Sequence, residues 1–343
     1  MNYSLNQSNG GFASALNTYS NAHQTNFLKA SDTFGRATPT VGLEYRYPLV
    51  ATYGSSTHIF EPIAQIIASP NEQKIGAAPN EDSQSLIFSD SNLFSINRFS
   101  GYDRVEGGIR ANVGAQYTAT FSNGGYVNLL AGQSYHLAGR NSFTSKGLET
   151  DIINTGLNSG LDKSRSDYVA RFAISPSKSM TFSARGRFDE ESLKLKRLEL
   201  MSSFTLGQVS TSMIYTRQDP QPDLGFVRRR EAVALSGSIK LPENWSVNGS
   251  ILVDLDQYIT DRDRALNLVP IQSYSKSLLR PTSMSVGLSY IDECTTFSVT
   301  YIRSKSADLS ATNSTGSAIW FKLELKHLGQ VNYRSNIGVA PNL

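Results

Sequence analysis

The chain has 343 residues, with 32 basic and 29 acidic side chains and a net charge of +3, a mixed surface and not the basic footprint of a nucleic-acid binder. Hydrophobic residues make up 39% of it, and no stretch approaches the ~18–20 consecutive apolar residues that a membrane helix needs. Helical membrane proteins are thereby excluded. Barrels are not, because a barrel strand needs only about ten residues and only every second one meets lipid.

Taken in chain order, the elements are strands joined by links of two kinds. A first strand near residues 3–8 ends in a tight link at 8–11, and a long polar link follows at 29–38. Tight links recur at 52–56, 122–125, 175–179, 206–208, 241–244 and 292–294. Long ones fall between them at 70–101, 138–164, 189–196, 218–228, 257–281 and 305–316. The most apolar run, Ile63 to Ala68, is only strand-sized, and Pro48 and Pro62 lie inside predicted strands, where a missing N–H is disfavoured.

Further along, Met180, Phe182, Ala184 and Phe188 alternate with Thr181, Ser183, Arg185 and Arg187. Trp245, Val247, Ile251 and Val253 alternate with Ser246, Asn248, Ser250 and Asp254. The same period of two runs through Met284, Val286, Leu288 and Tyr290, then through Phe297, Val299 and Tyr301. A last strand is predicted at 317–327, with Ile319, Phe321, Leu323 and Leu325 on one face, and residues 330–343 read as a tail.

Period-two alternation gives each strand one apolar and one polar face, which a soluble sandwich would also show. The alternation of short and long links favours an up-and-down meander with turns on one rim and loops on the other, as in outer-membrane barrels. The expectation is an all-β, antiparallel transmembrane β-barrel of about fifteen strands, with short turns facing the periplasm. The start, Met1-Asn2-Tyr3-Ser4, has no signal peptide. With the odd strand count, this reads as the later part of an exported barrel.

Residues that could carry chemistry are sparse. His23, His58, His136 and His327 have no metal-ligand spacing, and Gly107-Gly108 and Gly124-Gly125 suit strand starts and turns better than phosphate loops. Neither an enzyme nor a cofactor is expected. Arg228-Arg229-Arg230 reads as a solvated rim, with lipopolysaccharide phosphates as the alternative contact. The link at 70–101 holds Leu93, Phe94, Ile96 and Phe99, too apolar for disorder. It reads either as a loop packed over the barrel mouth, with Arg98 and Arg104 paired to Asp82, Asp90 or Asp103, or as a ligand site.

At these residues the chain resembles a known family. Glu61-Pro62-Ile63-Ala64-Gln65, Asp82-Ser83, Leu93-Phe94, and Arg98-Phe99-Ser100-Gly101-Tyr102-Asp103-Arg104 are similar to the C-terminal barrel of the lipopolysaccharide-assembly LptD family. Gly132-Gln133, Asp292-Glu293-Cys294 and Leu323-Glu324-Leu325 extend the resemblance.

The resemblance implies a periplasmic jellyroll followed by a barrel of about twenty-six strands, so the jellyroll and early strands would precede this chain. It implies residence in the outer membrane, an LptE-type lipoprotein plug, an LptA-type periplasmic bridge, and lipopolysaccharide leaving between the first and last strands. The last strand at 317–327 would be one side of that exit. Cys294 would form a disulfide with a cysteine outside this chain. A general porin, an outer-membrane enzyme and a soluble secreted β-protein remain the alternatives.

Overall fold

A computed structural model describes residues 2–4, 31–33, 37–72, 82–83, 86–144, 156–222, 229–255, 281–307, 313–326 and 328–339. The predicted links at 8–11 and 257–281 lie almost wholly outside the described residues, and those at 29–38 and 305–316 lie partly outside them.

The fold is all-β. Strands β1 (Asn2–Ser4) and β2 (Ser31–Thr33) pair as a separate two-stranded sheet. The remaining fifteen strands form one sheet. Its first half comprises β3 (Val41–Arg46), β4 (Leu49–Tyr53), β5 (Ser56–Ser69), β6 (Gly108–Thr120), β7 (Tyr126–Ala138), β8 (Tyr168–Ser177) and β9 (Met180–Phe188). It continues through β10 (Leu195–Leu206), β11 (Val209–Gln218), β12 (Arg230–Lys240), β13 (Trp245–Asp254), β14 (Pro281–Ile291), β15 (Thr295–Ala307), β16 (Asn313–Leu325) and β17 (Gly329–Val339).

From β5 onward each strand pairs antiparallel with its sequence neighbour, the meander expected of a barrel. The short turns between β6 and β7, β8 and β9, β10 and β11, β12 and β13, and β14 and β15 all lie on one rim, and the long links lie on the other.

Two features depart from the expected elements. β3 and β4 both pair with β5, so they are one strand position interrupted at Tyr47 and Pro48. The register is the same on both sides of the break, which sets Pro48 opposite Glu61 and Tyr47 opposite Pro62. Tyr47 N–H donates to the Pro62 carbonyl at 3.3 Å, but Pro62 has no N–H to return. The two prolines that sit awkwardly in the sequence are thus the cause of the break.

The second departure is at the C-terminus. Residues 329–339 are not a tail: β17 pairs with β16 from Gly329 to Val339, with a register shift near Gly316. The strand carrying Ile319, Phe321, Leu323 and Leu325 is therefore followed by one more among the described residues. Val331, Tyr333 and Ile337 continue the alternation, and the compact turn after Leu325 keeps both strands in register.

The two faces are inverted relative to a soluble protein. Outward-facing Leu43, Val113, Phe172, Leu235, Val286 and Leu288 are all exposed, whereas inward-facing Gln65, Asn112, Asn128, Ser134 and Arg187 are buried. Leaving such side chains in water would cost about 1.5–3 kcal/mol each, and a contiguous apolar band of this kind marks a surface built for lipid. Near the short-turn rim the outward face carries aromatic pairs: Trp245 with Tyr290 and Phe182 with Phe204, each 5.2 Å between centroids. His58 hydrogen-bonds the Tyr117 hydroxyl there at 2.7 Å. Aromatic rings in this position match the girdles that flank the apolar band of transmembrane barrels.

Candidate functional site

The inner face of β3 to β7 carries a polar ladder. Gln65 donates to Glu44 at 2.9 Å, Asn112 donates to Gln65 at 2.7 Å, and the Ser134 hydroxyl donates to Asn112 at 2.7 Å. The ladder forms because these positions alternate with the lipid-facing ones and fall opposite one another in the register. Gln65 also donates to the Phe94 carbonyl at 3.0 Å, tying the long link between β5 and β6 to the wall.

The described residues of that link pack on the inner face of β5 to β9. Its Phe88, Leu93 and Phe99 form a buried cluster with Phe143 and Leu161 of the β7–β8 link and with Val169 of β8. Two glycines make the fit possible. Gly114 and Gly132 face each other across β6 and β7. A Cβ on Gly132 would lie 2.5 Å from the Leu93 side chain, and one on Gly114 would lie 3.1 Å from the Phe94 ring. Leu93 and Phe94 occupy the gap that those missing side chains leave.

The polar part of the motif holds the link's own shape. The Asp82 carboxylate accepts the backbone N–H groups of Tyr102 and Asp103, each at 2.9 Å, and the Ser83 hydroxyl at 3.0 Å. These N–H bonds hold the Asp82 carboxyl below its ordinary value. Asp103 accepts the Asp82 N–H at 3.2 Å, and Ser83 accepts that of Arg104 at 3.3 Å. A Cβ on Gly101 would fall 2.2 Å from the Asp82 carboxyl carbon, so the residue that approaches this carboxylate must be glycine.

The arginines take partners other than those expected from the sequence. Arg98 pairs with Glu106, and Arg104 pairs with Glu72 through two bonds of 3.1 Å while also donating to the Ser142 carbonyl at 2.7 Å. All four side chains are buried. The predicted pairing to Asp82, Asp90 or Asp103 is corrected. Asp82 and Asp103 are occupied with backbone N–H groups, while Glu72 and Glu106 flank the loop where it leaves β5 and enters β6. Arg104 lies 4.4 Å over the Phe99 ring, and Arg98 lies between Phe88 and Phe143. Arg110 completes the set by donating to the Ser95 and Ile96 carbonyls and facing Glu106 at 3.4 Å.

Of the predicted residues, Asp82, Ser83, Leu93, Phe94, Arg98, Phe99, Gly101, Asp103 and Arg104 thus come together in one folded plug element. Cys294 lies elsewhere, exposed in the β14–β15 turn, where its N–H caps Asp292 at 2.8 Å. As the chain's single cysteine it forms no disulfide within it. Ile319, Phe321, Leu323 and Leu325 project from β16 on the same face as lipid-exposed Val331 and Tyr333. Glu72, Glu106, Arg110, Ser142, Phe143 and Leu161 were not legible as members of the site, because no local spacing joins them.

Past the plug the inner wall changes character. On β10 to β14, Ser203, Ser212, Ser236, Ser250 and Ser285 line a groove of about 480 Å³ with no charged side chain on it. Ser212 bonds Ser236 and Ser250 bonds Ser285, both at 2.7 Å.

Comparison with known proteins gives three findings. No curated protein matches the sequence. A solved structure described as an OmpF complex with daunomycin, from Salmonella typhi, is similar over 89% of this chain and 91% of its own, at 12% identity and a TM-score of 0.33. The family described as LptD, LPS transport system D, matches residues 3–258, well over half of the chain. With the motif residues of that match gathered into one structured plug in a lipid-facing β-meander, the chain belongs to the LptD family of lipopolysaccharide transport proteins.

Proposed function

We propose that this chain is barrel wall and mouth plug of the outer-membrane translocon that inserts lipopolysaccharide into the outer leaflet. No covalent bond is made or broken; the work is binding, shielding and release. The observation that carries the reading is the composite of the β5–β6 plug and the polar inner wall. A general porin needs an open aqueous lumen, whereas here an apolar cluster with buried ion pairs packs on the polar inner wall.

In this reading the uncharged serine groove on β10 to β14 accepts an LptE-type plug lipoprotein or the passing saccharide. The short-turn rim faces the periplasm and an LptA-type bridge delivers lipid there. The strand edge offered to the departing lipid is β17, since β16 is paired on both sides. Cys294, exposed on the periplasmic rim, pairs with a cysteine outside this chain. A Cys294→Ser variant would then lose a mobility difference between reducing and non-reducing gels, and an unchanged pattern refutes that pairing.

The central test is photocrosslinking in cells. A photoreactive residue at lumen-facing Ser236 should form an adduct with lipopolysaccharide that disappears when the ATP supply to export is cut. The same residue at lipid-facing Leu235 should give an adduct insensitive to ATP. An absence of ATP-dependent adduct at Ser236 sinks the translocon reading.

A further inference from the structure

The inner wall of β8 to β10 contains an arrangement that the family motif does not explain. Two pairs of arginines face each other across strands: Arg171 opposite Arg185, and Arg187 opposite Arg197. Like charges directly opposite in a sheet repel and are normally selected against. The first pair is bridged by Asp90 of the plug loop, 3.2 Å from Arg171 and 3.4 Å from Arg185. In the second, Arg187 faces Asp167 at 3.3 Å, and Arg197 faces Glu199 at 3.5 Å. Glu199 is shared, since it also faces Arg185 at 3.3 Å. Arg171, Arg185 and Arg197 therefore meet two carboxylates, Asp90 and Glu199, while Arg187 is held by Asp167 with Asp162 and Asp219 near it.

The surplus positive charge borders a pocket of about 240 Å³ between the loop and the wall. The pocket is lined by Ser89 and Ser91 on one side and by Arg185, Arg187, Arg197 and Glu199 on the other. Arg185 and Arg197 keep 35% and 17% of their side chains accessible, so both can be reached from the lumen. Ile87 and buried Phe88 line the loop side. Guanidinium forks with nearby hydroxyls are the donor set that suits a phosphate oxygen cluster.

We propose that this pocket is a binding site for a phosphate-type anion, held by Arg185 and Arg197 with the Ser89 and Ser91 hydroxyls. The bound anion competes with Asp90 for Arg185, so its arrival loosens the plug loop from the wall. Asp90 sits at 3.2 Å from Arg171 and 3.4 Å from Arg185, so an anion on Arg185 would leave it one of its two partners. The anion can be the phosphate of a phosphorylated glycolipid passing through the lumen or free phosphate from solution. The first source rests on the proposed function; the second does not.

The test is a phosphorus NMR titration of pyrophosphate into the full protein purified in detergent. The pyrophosphate line should broaden with the unmodified protein. Arg185→Gln with Arg197→Gln should weaken the apparent affinity by roughly tenfold or more, while lipid-facing Arg217→Gln leaves it unchanged. Glu199→Gln, which removes the negative charge paired with both Arg185 and Arg197 and keeps the two arginines, should tighten binding by up to about fivefold. Displacement by phosphorylated but not by dephosphorylated lipopolysaccharide identifies the glycolipid as the source. Displacement by inorganic phosphate alone identifies solution phosphate, and either result supports the site.

No broadening with the unmodified protein overturns the proposal, as does weaker or equal binding by Glu199→Gln. The titration needs no lipopolysaccharide delivery, so its failure leaves the translocon reading standing. Loss of the Ser236 crosslink would likewise leave the anion site standing.

Discussion

Asp82 shows how a single side chain can set the shape of a loop. Its carboxylate is stabilised by backbone N–H groups of Tyr102 and Asp103, and its folded pKa lies below the ordinary value of 3.8. A depressed carboxylate contributes stability that is complete above its unfolded value and is lost as pH falls through the folded one. Hydrogen exchange at the Tyr102 and Asp103 amides should therefore be slow above pH 3.8, and protection should fall away only below it. Asp82→Asn should remove that acid transition. An unchanged profile would show that Asp82 does not hold the turn.

The glycines facing the loop give a second prediction at this scale. Gly132→Ala would place a methyl 2.5 Å from both Leu93 and the Val113 carbonyl. The loop must give way at Leu93 and the β6–β7 pairing must adjust locally at Val113, at a cost of about 1–3 kcal/mol. Limited proteolysis of the β5–β6 link should accelerate accordingly, while the barrel's heat-modifiable migration on gels stays intact. Glu106 should be costlier. It serves both Arg98 and Arg110, and Glu106→Ala leaves a buried guanidinium uncompensated, about 3–5 kcal/mol by comparison with other buried pairs.

At the scale of elements, the interrupted strand is explained by two prolines that no pattern rule accommodates singly. Tyr47 pairs with Pro62, so the nitrogen of Pro62 points at the Tyr47 carbonyl and leaves it without a partner on β5. Pro48, one residue on, turns its nitrogen to the open side of the sheet, where a missing donor discourages a further strand from pairing. Pro62→Val should restore one ladder bond and stabilise the β3–β5 pairing by about 0.5–1.5 kcal/mol. Amide exchange across residues 45–49 would read it out, and a destabilised variant would contradict this account. β17 is the converse case. Its alternation through Val331, Tyr333 and Ile337 was present in the sequence, but polar Asn332, Arg334 and Asn336 between them resemble a tail until β16 supplies the partner strand.

For the whole molecule, the inverted faces fix which side meets lipid. Val286 lies in the middle of β14 on the outward face, and its neighbour Ser285 faces the lumen. Val286→Arg should cost about 2–4 kcal/mol and impair assembly. Ser285→Arg, one residue away, should fold normally. Comparing the heat-modifiable fraction of the two variants in membranes tests the assignment, and equal tolerance would reject it.

The sequence by itself determined the class of fold, the two faces, the short-turn and long-link rims and the resemblance carried by the loop residues. Those follow from local rules, since a strand must alternate and a turn must be short wherever two strands are adjacent. Tertiary structure alone decided that Arg98 takes Glu106, that Arg104 takes Glu72, and that Asp90 bridges Arg171 and Arg185. It also decided that Leu93 fills the gap at Gly132 and that Phe143 and Leu161 complete a core begun by Phe88. These partners lie far apart in the chain. A charged or apolar side chain carries no local signal for which distant group it will meet, and only the sheet register and the loop's path over the inner face bring them within reach.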